Sequence, residues 1–114
     1  MSLLLERLEI KHPIFLAPMA GVSTPELAAE VSNQGGLGSL GLGANTAETT
    51  RSQILKTQAL TEQPFQVNFF CHQSIELDPT IAQTWIDFLR PHFEQYDAEP
   101  PTQLHCIYPS FLDN

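Results

Sequence analysis

The sequence has few basic residues and few cysteines. Five Lys and Arg side chains stand against thirteen Asp and Glu, and the formal net charge is −8. Such a chain repels phosphate groups, so we expect no nucleic-acid partner and no membrane-surface partner. The two cysteines, Cys71 and Cys106, form no CxxC motif and have no His at metal-ligand spacing. This pattern predicts free thiols and no metal site.

Long hydrophobic runs are also missing. The apolar run from Leu3 to Leu5 is interrupted at once by Glu6 and Arg7, and it is too short for a signal sequence or a membrane span. We therefore expect a cytoplasmic location. The hydrophobic content of 42% and the charged content of 16% are typical of a soluble globular chain. A length of 114 residues allows one small domain or a piece of a larger one.

Three short apolar runs predict β-strands over residues 14–17, 37–42 and 65–70. The first follows Pro13 and ends before Pro18, and none of its residues is polar, which is typical of a strand buried on both faces. Helical patterns separate the first run from the second and the second from the third. Strands alternating with helices and short loops indicate parallel βαβ units, so the predicted fold class is α/β.

Polar residues mark where these helices begin. Ser23 and Glu26 have the spacing of a capping box, Pro25 suits the first helical position, and the helix should end near the glycines at 35–36. Asn45 and Glu48 repeat the capping spacing before the second helix.

The alternation of predicted strands and helices ends after residue 70. Asp78 and Pro79 indicate the start of a third helix, which we expect to continue past Pro91. This helix carries one apolar stripe, formed by Ile81, Trp85, Phe88 and Leu89. Prolines interrupt the tail over 99–114, and no fourth strand is predicted there.

The string Gly36-Leu37-Gly38-Ser39-Leu40-Gly41 matches the dinucleotide-binding pattern G-x-G-x-x-G, with Glu62 at a suitable distance for a ribose contact. In that pattern the glycines follow a strand and open a helix. Here they follow a helix and enter a strand. We therefore interpret them as glycines that end the helix and leave the strand without bulky side chains. This arrangement would also let a flat cofactor approach the backbone.

Two places at predicted strand ends are candidate ligand contacts. The segment Ala17-Pro18-Met19-Ala20-Gly21 is apolar, so its role would be backbone contact with a planar ring, and the alternative is a tight turn. Asn68 interrupts an otherwise apolar strand, and its amide needs hydrogen-bond partners. Either a bound ligand or a neighbouring loop could supply them, and we favour the ligand.

The sequence offers no catalytic pair. Cys71 and His72 are adjacent, and adjacent side chains on an extended chain point to opposite sides, so they make a poor thiolate and base. The other histidines, His12, His92 and His105, have no carboxylate at useful spacing. We assign no catalytic residue in this chain.

Four strings together resemble the opening of the nitronate monooxygenases, formerly called 2-nitropropane dioxygenases. They are residues 13–21 (PIFLAPMAG), 24–33 (TPELAAEVSN), 35–38 (GGLG) and 64–70 (PFQVNFF). Similar strings open the FMN-dependent enoyl reductases, which are the alternative family. Residues 98–101 and 108–111 resemble the insertion that follows strand three in the nitronate-oxidising branch.

The resemblance implies an enzyme that oxidises alkyl nitronates with O2 to a carbonyl compound and nitrite. It implies an FMN cofactor, with the backbone of Ala17, Pro18, Met19 and Ala20 against the flavin and Asn68 hydrogen-bonded to it. The family's catalytic histidine lies far beyond residue 114, as do the glycine-rich loops that hold the FMN phosphate.

The resemblance also implies that residues 1–114 are the N-terminal part of a TIM (β/α)8 barrel, with residues 71–114 as a helical region after strand three. A complete barrel has eight strands and about 250 residues. Three strands leave two open edges, so we expect this piece to need the missing part of the barrel, or self-association, to close. The alternative of another class is a non-catalytic remnant.

Overall fold

The computed structural model describes residues 3–73, 76–105, 108 and 110–113. Cys106 and Pro109 lie outside this part of the chain, so the free thiol of Cys106 stays a prediction. Strands and helices alternate along the chain, which confirms the α/β fold class with a short sheet. In chain order the elements are α1 (Leu3–Arg7), α2 (Pro25–Asn33), β1 (Gly38–Gly41), α3 (Ala47–Leu60), β2 (Phe65–Asn68), α4 (Pro79–Gln95) and a 3-10 helix (Phe111–Asp113).

The chain divides into two compact units. The first comprises residues 1–72 and 108–114, and the second comprises residues 73–107. In the first unit, the 3-10 helix is joined to the residues that follow β2. The N–H of Phe111 donates to the carbonyl of Phe70 at 2.7 Å. The rings of Phe69 and Phe111 also pack together, with centroids 4.7 Å apart.

The sheet is parallel, and its register pairs Gly38 with Phe65 and Gly41 with Asn68. A third segment joins it through a single parallel bridge between Phe15 and Leu37. The backbone of Leu37 is hydrogen-bonded to this segment, and the backbone N–H of Leu42 donates to the carbonyl of Asn68. These two leucines are an odd number of positions apart, so their backbone groups point to opposite edges of β1. The segment therefore lies on the side of β1 away from β2.

The strands differ in two ways from the sequence-based prediction. β1 and β2 are shorter than the predicted runs 37–42 and 65–70, and the predicted strand over 14–17 is reduced to one bridge. That first run is also not buried on both faces, since Ile14 and Phe15 are 61% and 46% exposed. Among the described residues this segment has only one neighbouring strand, which leaves its outer side uncovered.

Two of the predicted helix caps were off by one residue. Thr24, and not Ser23, caps α2 by accepting from the N–H of Leu27, and Thr46, and not Asn45, caps α3. The reason is visible at α2, where Pro25 occupies the first helical position and the cap must be the residue before it. The predicted cap at Asp78 is confirmed, because its carboxylate accepts from the N–H groups of Thr80 and Ile81.

The core of the first unit lies between α2 and β1. Ala28, Leu40 and Leu42 are almost completely buried and form its centre. The two elements pack closely because position 38 has no side chain: a Cβ on Gly38 would lie 2.0 Å from the carbonyl oxygen of Ala28. The partly buried side chains that pack against this centre are Leu16, Ile54, Phe65 and Phe69.

The buried hydroxyl of Ser32 ties α2 to both strands. It accepts from the N–H of Gly38 at 3.0 Å and donates to the carbonyl of Pro64, directly before β2, at 2.9 Å. A buried N–H or carbonyl without a partner is costly, so this one side chain satisfies two backbone groups that the short sheet leaves unpaired.

α2 also contacts α3 at the surface. The Lys56 ammonium on α3 pairs with the Glu26 carboxylate on α2, and this hydrogen bond lowers the pKa of Glu26. Near the other end of α2, the Thr61 hydroxyl donates to the Asn33 side-chain oxygen at 2.6 Å. These contacts fix the two helices against each other on one side of the sheet.

In the second unit, α4 runs through Pro91 without ending, as predicted. The predicted apolar stripe faces outward: Trp85 and Phe88 are 55% and 66% exposed and contact each other edge to face. Ile86 is the buried residue of this helix. Among the described helices, none has both the length and the apolar composition that a membrane crossing needs.

Candidate functional site

The loop between the bridging segment and α2 contains four of the predicted site residues. Ala17, Pro18, Met19 and Ala20 are all exposed. The loop turns back on itself, because the N–H groups of Val22 and Ser23 both donate to the carbonyl of Met19, at 3.1 and 2.9 Å. Gly21 has φ +75°, a conformation that favours glycine.

The Ser23 side chain holds this loop through two hydrogen bonds to its backbone. It is buried, with 5% of its surface exposed. Its hydroxyl accepts from the N–H of Met19 at 2.9 Å and donates to the carbonyl of Ala17 at 2.7 Å. The loop shape therefore does not depend on Gly21 alone, since one hydroxyl joins its two ends.

The loop lies against the last residue of β1. A Cβ placed on Gly41 would be 2.9 Å from the backbone N of Ala20 and 3.1 Å from the carbonyl carbons of Pro18 and Met19. These are backbone atoms, so a side chain at position 41 would force the loop to move. Gly41 thus brings the backbone of residues 18–20 to the carboxyl end of the strand.

Asn68 lies at the same end of the sheet. It is the last residue of β2, it pairs with Gly41, and its carbonyl accepts from the N–H of Leu42 at 3.0 Å. Its side chain is exposed and makes no hydrogen bond with the residues that the structure describes. The amide therefore has donors and an acceptor available for another molecule.

The structure thus brings the predicted residues together. The 17–20 loop lies against Gly41, and Gly41 pairs with Asn68, so an exposed loop of apolar residues and the Asn68 amide adjoin at the carboxyl ends of two parallel strands. Ligands of open parallel α/β sheets and of α/β barrels bind at this end. We name the set Ala17, Pro18, Met19, Ala20 and Asn68 the loop–amide site.

The chemistry of this site is binding and not proton transfer. The N–H groups of Ala17, Ala20 and Gly21 have no hydrogen-bond partner among the described residues, and Asn68 adds a neutral amide. None of the histidines forms an ion pair with a described carboxylate. Within the described part of the chain, no cluster of three or more His, Cys, Asp or Glu side chains could hold a metal ion. Neutral hydrogen-bond donors beside exposed apolar residues suit a planar heterocycle.

Sequence reasoning missed two residues of this region. Ser23 was assigned to the helix cap, although Pro25 signalled that the cap is Thr24, which leaves the Ser23 hydroxyl for the loop. Gly41 was assigned only to a thin strand, and its contact with residues 18–20 depends on tertiary packing that no local pattern reveals. The glycines at 38 and 41 do lie in a strand that follows α2, as interpreted from the sequence.

A separate cavity of about 560 Å³ lies beside α3 and the end of β2. It contains no residue of the loop–amide site. Arg51 is the one charged side chain among the residues that line it, and the others include Ile54, Leu55, Phe69, Phe70 and Phe111.

A family model described as nitronate monooxygenase matches residues 1–106. Curated relatives agree with it. A nitronate monooxygenase of Paraburkholderia phytofirmans is 55% identical over 109 residues, which are 96% of this chain and 30% of that protein. A nitronate monooxygenase of Pseudomonas aeruginosa is 50% identical over 107 residues, which are 94% of this chain and 30% of that protein. The chain spans about a third of the length of these relatives.

Solved structures with the same local fold include a nitroalkane oxidase from Streptomyces ansochromogenes. It is 39% identical, with a TM-score of 0.67 over 86% of this chain and 27% of that one. FabK from Thermotoga maritima is 36% identical, with a TM-score of 0.55 over 76% of this chain and 26% of that one.

Proposed function

The chain belongs to the nitronate monooxygenase family and corresponds to its N-terminal portion, and from this premise we propose that it forms the flavin-ring-binding part of an FMN-dependent monooxygenase. The complete enzyme is a TIM (β/α)8 barrel that oxidises alkyl nitronates with O2 to a carbonyl compound and nitrite. The observation that carries the proposal is the adjacency of the 17–20 loop and the free Asn68 amide at the carboxyl end of the sheet.

The residues of the loop–amide site fit FMN. The exposed, apolar residues 17–20 offer van der Waals contact to one face of a flat ring, and Met19 is the one bulky side chain among them. Asn68, together with the N–H groups of Ala17, Ala20 and Gly21 that have no partner in the described part of the chain, offers hydrogen bonds to polar atoms at the ring edge. When bound, FMN supplies the redox chemistry, and these residues position it.

Proton transfer falls to other parts of the enzyme. The loop–amide site holds no titratable side chain, so we propose that the base acting at the nitronate, and the loops holding the FMN phosphate, come from outside residues 1–114. In this proposal the described residues exclude water from one face of the ring and orient its edge. We also retain the cytoplasmic location as a proposal.

In a complete barrel of this family, Asn68→Ala should weaken FMN binding. Removing the amide leaves polar atoms of a bound flavin without their partner, and we expect a loss of about 1–3 kcal/mol. FMN affinity can be measured by the change in flavin fluorescence on titration. Asn68→Asp is the matched control for shape. It keeps the size of the side chain and its Oδ1 acceptor, and it replaces the NH2 donor group with a second, negatively charged oxygen. If both variants bind FMN as tightly as the wild type, Asn68 does not contact the flavin.

The proposed activity can be tested in a complete barrel. We would replace the matching residues of the Paraburkholderia phytofirmans relative with residues 1–106 of this chain, and assay nitrite release from alkyl nitronates. We expect oxygen-dependent nitrite release. A folded, FMN-loaded chimera that releases none would contradict the monooxygenase function.

The same protein distinguishes the alternatives. An enoyl reductase would instead consume a nicotinamide donor when given an enoyl thioester. A non-catalytic remnant would do neither, and the 17–20 loop would then fail to support FMN even when the rest of the barrel is supplied. Identities of 50–55% to nitronate monooxygenases favour the first outcome.

A further inference from the structure

We propose that Ser23 is a positioning residue of the flavin site: its hydroxyl holds the 17–21 loop in the shape that receives the flavin. This inference rests on the proposed function. Ser23 does not belong to the exposed surface that would contact the cofactor, since only 5% of it is exposed. Its influence on the flavin would act through the loop.

The hydrogen bonds of the loop show what Ser23 controls. Its hydroxyl accepts from the N–H of Met19 and donates to the carbonyl of Ala17. The backbone N–H groups of Val22 and Ser23 donate to the carbonyl of Met19. The polar backbone atoms of Met19 therefore point inward. The N–H groups of Ala20 and Gly21 are left without partners among the described residues.

A hydroxyl suits this position because it donates and accepts at once. Alanine could do neither, and the backbone groups of Ala17 and Met19 would then turn towards water or compete for the ligand. Threonine would keep both hydrogen bonds while adding one methyl group. The requirement is thus for a hydroxyl, and it can be separated from a requirement for a small side chain.

Ser32 provides a matched control. It is also a buried serine, and its hydroxyl also makes one hydrogen bond as donor and one as acceptor. Its partners are Pro64 and Gly38, at the other end of the strands. Ser23→Ala and Ser32→Ala therefore remove the same atom and the same number of hydrogen bonds, but only Ser23→Ala releases the 17–21 loop.

The first test is FMN titration of the complete barrel that carries residues 1–106 of this chain, followed by flavin fluorescence and by the visible absorption band of the bound flavin. We expect Ser23→Ala to raise the dissociation constant about tenfold. Ser32→Ala should lower stability and leave the dissociation constant and the absorption band of the folded fraction unchanged. Ser23→Thr should restore most of the affinity.

The second test needs no flavin. Amide hydrogen exchange should show a protected Met19 N–H in the wild type and in Ser32→Ala, and an exchange rate about tenfold faster in Ser23→Ala. Equal FMN affinity of Ser23→Ala and wild type, or unchanged exchange at Met19, would overturn the role of Ser23. A folded complete barrel that carries the wild-type residues 1–106 and binds no FMN would contradict the proposed cofactor instead, and the exchange rates would still decide whether Ser23 holds the loop.

Discussion

Gly38→Ala should lower the free energy of unfolding of the first unit by about 3 kcal/mol. The added methyl would lie 2.0 Å from the carbonyl oxygen of Ala28 and 2.7 Å from its carbonyl carbon. Both are backbone atoms of α2, so no side-chain rotation can relieve the contact. α2 would have to move away from β1, which would also stretch the bond between Ser32 and the N–H of Gly38.

The measurement is urea unfolding followed by circular dichroism, with Gly21→Ala as the matched control. Gly21 has φ +75°, but a Cβ there would meet no atom within 4 Å. Its replacement should cost only the left-handed conformation, about 1–2 kcal/mol. Equal unfolding midpoints for the two variants would mean that α2 and β1 are not packed as closely as described.

In the complete barrel, Gly41→Ala should weaken FMN binding by about fivefold to 150-fold, the range that an overpacking energy of about 1–3 kcal/mol gives. A methyl at position 41 would lie 2.9–3.1 Å from the backbone of Pro18, Met19 and Ala20. The loop would have to shift away from β1. The 17–20 loop and the Asn68 amide would then no longer contact one ring together.

Gly43→Ala is the matched control for this effect. It makes the same chemical change two positions later, but its Cβ would meet the ring of Phe70, 2.9 Å away. That ring is 41% exposed and belongs to a side chain, so it can move without moving the 17–20 loop. We expect near wild-type FMN affinity for Gly43→Ala. If the two variants bind FMN equally, position 41 does not act through the loop.

The sequence predicted much of this fold because its local signals are strong. The alternation of apolar runs and helical patterns predicted the strands at β1 and β2 and the helices α2, α3 and α4. Asp78 followed by Pro79 located the start of α4. The strand lengths and the burial of Ile14 and Phe15 could not be predicted, because they depend on which neighbouring strands are present.

The candidate site was predictable only in part. Asn68 stood out as a polar residue in an apolar strand, and the 17–20 segment stood out by its place after a predicted strand. The resemblance to a family then linked both to FMN. Ser23 and Gly41 could not be identified in the same way, because their roles depend on contacts with the backbone of residues 17–20 that form only when the loop folds onto β1.

The most direct test of the flavin site is a nuclear magnetic resonance titration, with FMN, of the 15N-labelled complete barrel that carries residues 1–106 of this chain. We predict that backbone amide shifts change at residues 17, 19–21, 41 and 68, and that the Asn68 side-chain amide shifts as well. The amides of α3 around Arg51 and Ile54, which line the separate cavity, should stay unchanged. Shift changes confined to that cavity, or none at residues 17–21 and 68 at saturating FMN, would contradict the flavin site described above.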